Sequence, residues 1–301
     1  MAQLRNAEVG QEAIGSPLVL MHRRSWRRYL GSVLKHGLLL AVAVLFMIPV
    51  YWMVISIFKD TDQIFAQPII WFPNPIRTNN IPDTLNYPGF PFLRFLWNSF
   101  FYAGSVTVGA VISCAAAGYG FARLRFPGRK VLFSITIATL MIPSIVTFIP
   151  TYILFKNLHL IGSYAPLIIP NFMGNAFFIF MLRQFFMGLP WELSEAATVD
   201  GANEWRTFWS IMLPLVRPAL IVVAVFTFVW TWQDFFGPLV YLDNPDNFPL
   251  SLGLYAFRSQ HTTEWPLLMT ASTLTTLPLV VLFFATQRYF VQGITLTGIK
   301  G

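Results

Sequence analysis

Six apolar runs, separated by short polar connections, limit this sequence more than any other feature. They cover approximately Gly37–Phe58, Trp97–Ala122, Val131–Phe155, Ala165–Leu182, Ala219–Val240 and Pro266–Thr286. Each is long enough to cross about 30 Å of hydrocarbon. Lipid offers a bare backbone no hydrogen bonds, so runs that cross it must be helical. Charged residues make up only 11% of the 301, against 55% hydrophobic, whereas soluble domains hold roughly 25% charged residues. The expected fold class is an all-α integral membrane protein with six transmembrane helices. The first run starts late, is long and lacks a small-residue cleavage site, so it is expected to be a retained helix rather than a signal peptide.

The net charge of +7 matters less than where the cations sit. One side of the membrane receives Arg5, Arg23, Arg24, Arg27, Arg28 and Lys35, then Arg123, Arg125, Arg129 and Lys130, then Arg183, Arg206 and Arg217, and finally Arg288 and Lys300. The other side receives only Lys59, Arg77, Arg94, Lys156 and Arg258. The positive-inside rule places both termini and the loop over 183–218 in the cytoplasm. The expected organisation is a cytoplasmic arm over residues 1–36, a six-helix domain over 37–287 and a cytoplasmic tail over 288–301. Basic clusters of this kind set orientation and meet lipid headgroups, and no nucleic-acid partner is expected.

Catalytic patterns do not emerge. His22, His36, His159 and His261 fall in separate segments without ligand spacing, so no metal site is expected. The lone Cys114 lies inside the second run, where a small packing residue is expected. There is no Ser-centred elbow, no H-E-x-x-H and no phosphate-binding G-x-x-x-x-G-K-[ST]. If nucleotide energy drives this chain, another subunit must supply it.

The loop between the fourth and fifth runs carries the sharpest signal. Pro190 suits the first position of a helix, Glu192 and Glu195 suit its positive end, and Ala196 and Ala197 are small and helix-forming. Gly201 after Asp200 can close that helix in a left-handed cap, and Asn203 can open a second one. Trp205, Phe208, Trp209 and Met212 then fall at i, i+3, i+4 and i+7, on one helical face. Burying such side chains contributes roughly 1.5–3 kcal/mol each, so a covering partner is expected. An amphipathic helix lying on the bilayer is the plainer reading. Against it, Glu192, Glu195, Asp200 and Glu204 outnumber Arg206, whereas interfacial helices favour Lys and Arg.

Glu195-Ala196-Ala197, three residues, Gly201, nine residues, then Ile211-Met212-Leu213-Pro214 resembles the EAA loop of ABC-importer permease subunits, EAA-x3-G-x9-I-x-L-P. Seven fixed positions at about one in fifteen each give roughly one chance match in 10^8 starts. Within that family the chain is similar to the second permease of maltose-type and glycerol-3-phosphate-type importers. Ala117–Lys130 (AGYGFARLRFPGRK), Trp230–Leu242 (WTWQDFFGPLVYL) and Gly293–Gly301 (GITLTGIKG) resemble the corresponding stretches of that branch, with Gln233-Asp234 replacing the commoner Asn-Glu-type pair.

The resemblance implies a type I importer permease fold with cytoplasmic coupling helices over 190–214, in a bacterial inner membrane. It implies a second permease subunit, two ATP-binding subunits and an extracytoplasmic solute-binding protein as partners. ATP and Mg would be held by the ATPase subunits, and this chain would bind no cofactor. Glu195, Ala196, Ala197, Asp200, Gly201, Trp205, Phe208, Trp209, Ile211, Leu213 and Pro214 would meet the ATPase, and Lys300 could reach it from the tail.

For the solute path, ionisable groups inside spans come first, because Asp at a helix centre costs roughly 2.5–3.5 kcal/mol. Asp234 stands out, with Gln233, Trp230 and Trp232 beside it; Asn171 and Asn175 could face the same space or bond between helices. On a straight helix Asp234 would stand roughly 22 Å up a 30 Å core. Pro49, Pro143, Pro150 and Pro170 mark kinks or gating bends. Gly104, Gly109, Gly118 and Gly120 point to close helix packing. Residues 59–96 and 241–265 are expected to meet the binding protein, with 250–262 reaching towards its cleft. A secondary carrier or channel for a small polar solute is the alternative, although it has no use for such a loop.

Overall fold

The computed structural model describes residues 18–257 and 263–297. All its extended regular elements are helical. The main helices are α1 (Leu18–Ile55), α2 (Phe92–Arg123), α3 (Arg129–Ala138), α4 (Ser144–Asn157), α5 (Ala176–Met187), α6 (Glu192–Val199), α7 (Glu204–Thr207), α8 (Arg217–Trp232), α9 (Phe236–Tyr241) and α10 (Trp265–Thr297). Two compact units divide between Trp52 and Met53. The first holds most of α1, a 38-residue helix with Pro49 inside it. The arm expected over residues 1–36 is thus helical from Leu18 onward, continuous with the first apolar run. Everything else lies in the second unit.

Among the described residues, four helical segments are long and apolar enough to cross a membrane, and two bent pairs, 129–141 with 144–157 and 204–215 with 217–232, bring the number to as many as six. The breaks depart from straight spans. The run over 131–155 bends by 101° between 129–141 and 144–157, because Pro143 takes extended backbone and caps α4 instead of continuing α3. The run over 165–182 passes through a 3-10 stretch, Ile169–Met173, before α5 starts afresh. The run over 219–240 is interrupted at Gln233–Phe235, between α8 and α9. By contrast, α10 continues through residue 288 to Thr297, so no break marks the expected start of a tail.

The second unit is organised around α2. At 32 residues it is about 48 Å long, and it contributes to three successive cores. At one end Phe95 and Ala103 join Phe90, Trp232, Leu250 and Phe257. In the middle Tyr102 and Val106 join Phe155, Leu167 and Tyr241. At the other end Cys114, Ala115 and Tyr119 join Leu182, Phe186, Phe208 and Met212. Small residues on α2 permit these approaches. A Cβ on Gly109 would lie 2.5 Å from the Phe172 ring, and one on Gly118 would lie 3.0 Å from Leu182 Cβ and 3.2 Å from the Arg183 amide. Gly104 and Gly120 face open space, so only two of the four expected glycines serve packing. Cys114 is fully buried.

The end carrying residues 59–96 and 241–257 is folded tightly. Asn80 donates to the carbonyls of Ile57 (2.7 Å) and Lys59 (2.9 Å). Lys59 is itself buried, with Nζ 2.6 Å from the Ile70 carbonyl, and burial pushes its ammonium below the usual lysine range. Arg94 pairs with Asp246, and Asn98 holds the carbonyls of Asp246 and Phe248. Leu250 and Phe257 are core residues. Of the stretch 250–262 expected to reach the binding protein, Leu250, Leu252, Gly253 and Phe257 are buried within this chain, whereas Tyr255 is exposed. Residues 258–262 lie outside the described residues.

Helix packing at Gly118 gives a direct check. Gly118→Leu should lower the unfolding temperature of the purified protein by several degrees, since overpacking costs about 1–3 kcal/mol. Gly120→Ala should not lower it. Tryptophan fluorescence during heating measures both, and equal unfolding temperatures would contradict the close approach.

Candidate functional site

The loop over 190–214 forms two short helices joined by a tight turn. α6 begins at Glu192, two residues after Pro190, which lies in the turn leading in rather than at the first helical position. Gly201 takes a φ of +74°. Its amide bonds the Thr198 carbonyl at 3.1 Å and the Ala202 amide bonds the Ala197 carbonyl at 2.9 Å, the paired bonds of a Schellman C-cap. Asn203 then caps α7 by accepting from the Arg206 amide at 2.8 Å. Nothing lies within 4 Å of where a Gly201 side chain would start, so only its backbone conformation demands glycine.

The single aromatic face does not hold. A π-helical turn covers Phe208–Met212; Pro214 has no N–H with which to close an α-helical bond to Ser210. Phe208 (5% exposed) and Met212 (0%) turn inward. The Phe208 ring meets Tyr119 at 5.0 Å and Phe186 at 6.4 Å. Trp205 (67%) and Trp209 (45%) remain exposed. Phe208 is thus a core residue rather than a face for another protein, and Ala197 is likewise buried. Ile211 and Leu213 are half-buried. Glu195, Ala196, Asp200, Gly201 and Pro214 are exposed alongside the two tryptophans. Lys300 lies outside the described residues.

What holds this loop was not singled out by sequence reasoning. Arg123, the last residue of α2, is 6% exposed. Its guanidinium donates to the Phe186 carbonyl through Nε (3.1 Å) and Nη2 (2.8 Å), to the carbonyl of Leu189, and to Pro190 carbonyl at 3.3 Å. Nη1 also approaches Ser194 Oγ at 3.4 Å, and the Trp191 ring lies 5.0 Å from the guanidinium carbon. These carbonyls include those left over where α5 ends. Four residues earlier on α2, Tyr119 donates to Glu204 Oε2 at 2.7 Å. Both halves of the loop are therefore tied to one helix. The available signal was an arginine closing an apolar run, together with Trp191 in the loop.

A second feature lies between α2, α5 and α8, a cavity of about 320 Å3. Asp234, Trp230, Asn171 and Asn175 all line it. Tyr102 donates to Asp234 Oδ2 at 2.7 Å, and Gly237 N–H to Oδ1 at 3.0 Å. The Trp230 ring stacks on Phe178 at 5.8 Å. Neither asparagine side chain bonds between helices. Asn171 donates to the Leu167 carbonyl, and Asn175 caps α5 by accepting from Phe177 and Phe178. Two expected residues lie elsewhere. Gln233 is exposed outside the cavity lining, and Trp232 is buried on the opposite face of α8, its indole donating to the Thr275 carbonyl at 3.1 Å. The helical period explains this: Thr227, Trp230, Thr231 and Asp234 share one face at i, i+3, i+4 and i+7, and Trp232 does not. Tyr102 was missed because its partner, Asp234, lies in another segment, and the two threonines because an uncharged hydroxyl in an apolar run does not stand out.

Residues 109–296 match the family model of the binding-protein-dependent transport system inner membrane component. The chain belongs to this family. A probable ABC transporter permease of Pyrococcus horikoshii is 32% identical over 84% of this chain and 92% of its own length. The sn-glycerol-3-phosphate transport system permease protein UgpE of Yersinia pestis is 34% identical over 87% of this chain and 95% of its own. A crystal structure of a bacterial ABC transporter that imports the acidic polysaccharide alginate contains a chain of the same fold, with a TM-score of 0.77 at 20% identity over 87% of this chain and 97% of that one. This protein is an inner-membrane permease component of binding-protein-dependent ABC transport.

The arginine anchor has a measurable consequence. Charged hydrogen bonds of this kind contribute about 1.5–3 kcal/mol each, and a lysine cannot span the same carbonyls. Arg123→Lys should speed amide hydrogen exchange over 187–200 by roughly tenfold or more, whereas Tyr119→Phe should act mainly near Glu204. Exchange unchanged by Arg123→Lys would contradict the anchoring role.

Proposed function

We propose that this chain pairs with a second permease subunit to form the translocation path of an ATP-driven importer, and that its α6–turn–α7 loop is the element on which an ATP-binding subunit acts. One observation carries the reading: an exposed, sharply capped double helix is tied through Arg123 and Tyr119 to the helix that also lines the polar cavity. Glu195, Ala196, Asp200, Gly201, Trp205, Trp209 and Pro214 form the docking side; Phe208, Met212 and Ala197 hold the loop to its own bundle. Two ATP-binding subunits hold ATP and Mg, so the chain itself is non-catalytic and binds no cofactor. An extracytoplasmic binding protein delivers the solute to the end built from 59–96 and 241–257. A crystal structure of the same fold, with a TM-score of 0.63, captures the alginate transporter with a periplasmic protein, which supports a binding protein as partner. The cation distribution supports cytoplasmic termini, and the family supports an inner-membrane location. The solute class is carbohydrate-like, as the cavity's amides, hydroxyls and aromatic face suit polyhydroxy compounds.

Glu195→Lys and Gly201→Asp should leave the chain inserted and paired with its second permease, yet reduce co-purifying ATP-binding subunit and ATP-driven uptake. Trp205→Ala with Trp209→Ala should act likewise without lowering the chain's own unfolding temperature. Phe208→Ala should lower that temperature, because emptying a buried aromatic site costs about 3–5 kcal/mol. Wild-type uptake by Glu195→Lys and Gly201→Asp would contradict the docking role.

A further inference from the structure

The cavity has a charge that its amides and aromatic rings do not require. Asp234 presents a carboxylate to it, and none of its lining residues is Lys, Arg or His. The carboxylate is fixed in place rather than free to swing away, because Tyr102 and the Gly237 amide hold one oxygen each. Tyr102 spends its proton on Asp234 and so turns an oxygen lone pair, not a proton, towards anything else that enters. The remaining lining is neutral and contains unspent hydrogen-bonding capacity. Thr227 is 5% exposed and its hydroxyl has no partner. That is unusual in this protein. Thr270, Thr273, Thr275 and Thr276 on α10 each return their hydroxyl to the carbonyl four residues earlier, at 2.7–2.8 Å. Thr231 stands one turn beyond Thr227 on the same face, and Trp230 offers a ring that is more than half exposed.

We infer that this cavity is a solute subsite that admits uncharged polyhydroxy groups and rejects anionic ones, with Asp234 as the specificity-determining residue. The inference rests on the transport reading above and narrows it. It separates this chain from what the names of its relatives describe, since glycerol-3-phosphate and alginate are both anions. An entering phosphate or carboxylate would face the Asp234 charge with no cation among the lining residues to offset it, and like charges repel. A sugar hydroxyl can instead donate to Asp234 or Tyr102, and the sugar's C–H face can cover the Trp230 ring.

The test reads the charge of the cavity without needing the natural solute. In the complete, purified complex, Cys114→Ala removes the native thiol and Thr231→Cys places one in the cavity, with Thr227→Cys as the second variant if the first does not assemble. The thiol is treated with cationic trimethylammonioethyl methanethiosulfonate and with anionic sulfonatoethyl methanethiosulfonate, each rate being normalised to that of free 2-mercaptoethanol. The expected result is a preference for the cation of about tenfold, falling to within about twofold when Asp234→Asn is added. An anionic rate equal to or above the cationic one, or a preference that survives Asp234→Asn, overturns the inference. Reaction with neither reagent overturns it too, because the space is then closed to solutes. Loss of ATP-driven uptake in the parent complex would instead count against the transport reading and leave these rates interpretable.

Discussion

A single buried guanidinium decides how the loop relates to the bundle. Where α5 ends, its last carbonyls have no helical partners, and the chain must turn sharply into α6. Arg123 reaches across from the end of α2 and satisfies the Phe186 carbonyl in the last turn of α5 and the Leu189 and Pro190 carbonyls in the turn that follows. The fixed fork of donors is what makes this geometry available to arginine and not to lysine. Tyr119 fastens the second half of the loop through Glu204. With those two contacts in place, the exposed docking side has a fixed orientation relative to α2. Without them, a hydrophilic double helix would hang from the bundle by its two ends.

The same helix leads to the cavity. Tyr102 stands 21 residues before Arg123 on α2, roughly 30 Å away along a continuous helix. The cavity is built where other helices fail to continue, at Gly174–Asn175 before α5 and at Gln233–Phe235 after α8. Broken backbone is tolerated at membrane depth only where protein or water satisfies its polar groups. Asn175 and Asp234 do this as caps for α5 and α9. The residue that repairs one break therefore also charges the cavity, so structural repair and solute selection are joined at Asp234. On the proposed reading, work done at the loop reaches the solute through α2.

Much of this was legible in the sequence, for definable reasons. Apolar runs report membrane helices because burial in lipid depends on composition over about twenty residues, not on partners. The Gly201 cap and the Asn203 cap follow from local backbone preferences, and both stand where the motif places them. Asp234, Trp230, Asn171 and Asn175 came together because polar residues inside apolar runs are few. What escaped depended on register or on distant contacts. Phe208 and Met212 face inward while Trp205 and Trp209 stay exposed, and a π-turn covers 208–212 before Pro214, a departure that a uniform 3.6-residue period cannot anticipate. Trp232 and Trp230 look equivalent in sequence until the packing of α8 against α2 and α10 separates them. Arg123 reads as one more interfacial cation until the carbonyls of Phe186 and Leu189 are seen around it.

The central claim is that the loop and α2 move as one body. Val199 on α6 (87% exposed) and Val108 on α2 (53% exposed) can carry spin labels without disturbing a core, in a Cys114→Ala background within the assembled transporter. Pulsed electron–electron resonance measures the distance between them with and without bound ATP. The account predicts the same distance distribution in both states, while distances from either label to the ATP-binding subunits change. A shift of the Val199–Val108 distance on ATP binding would contradict it.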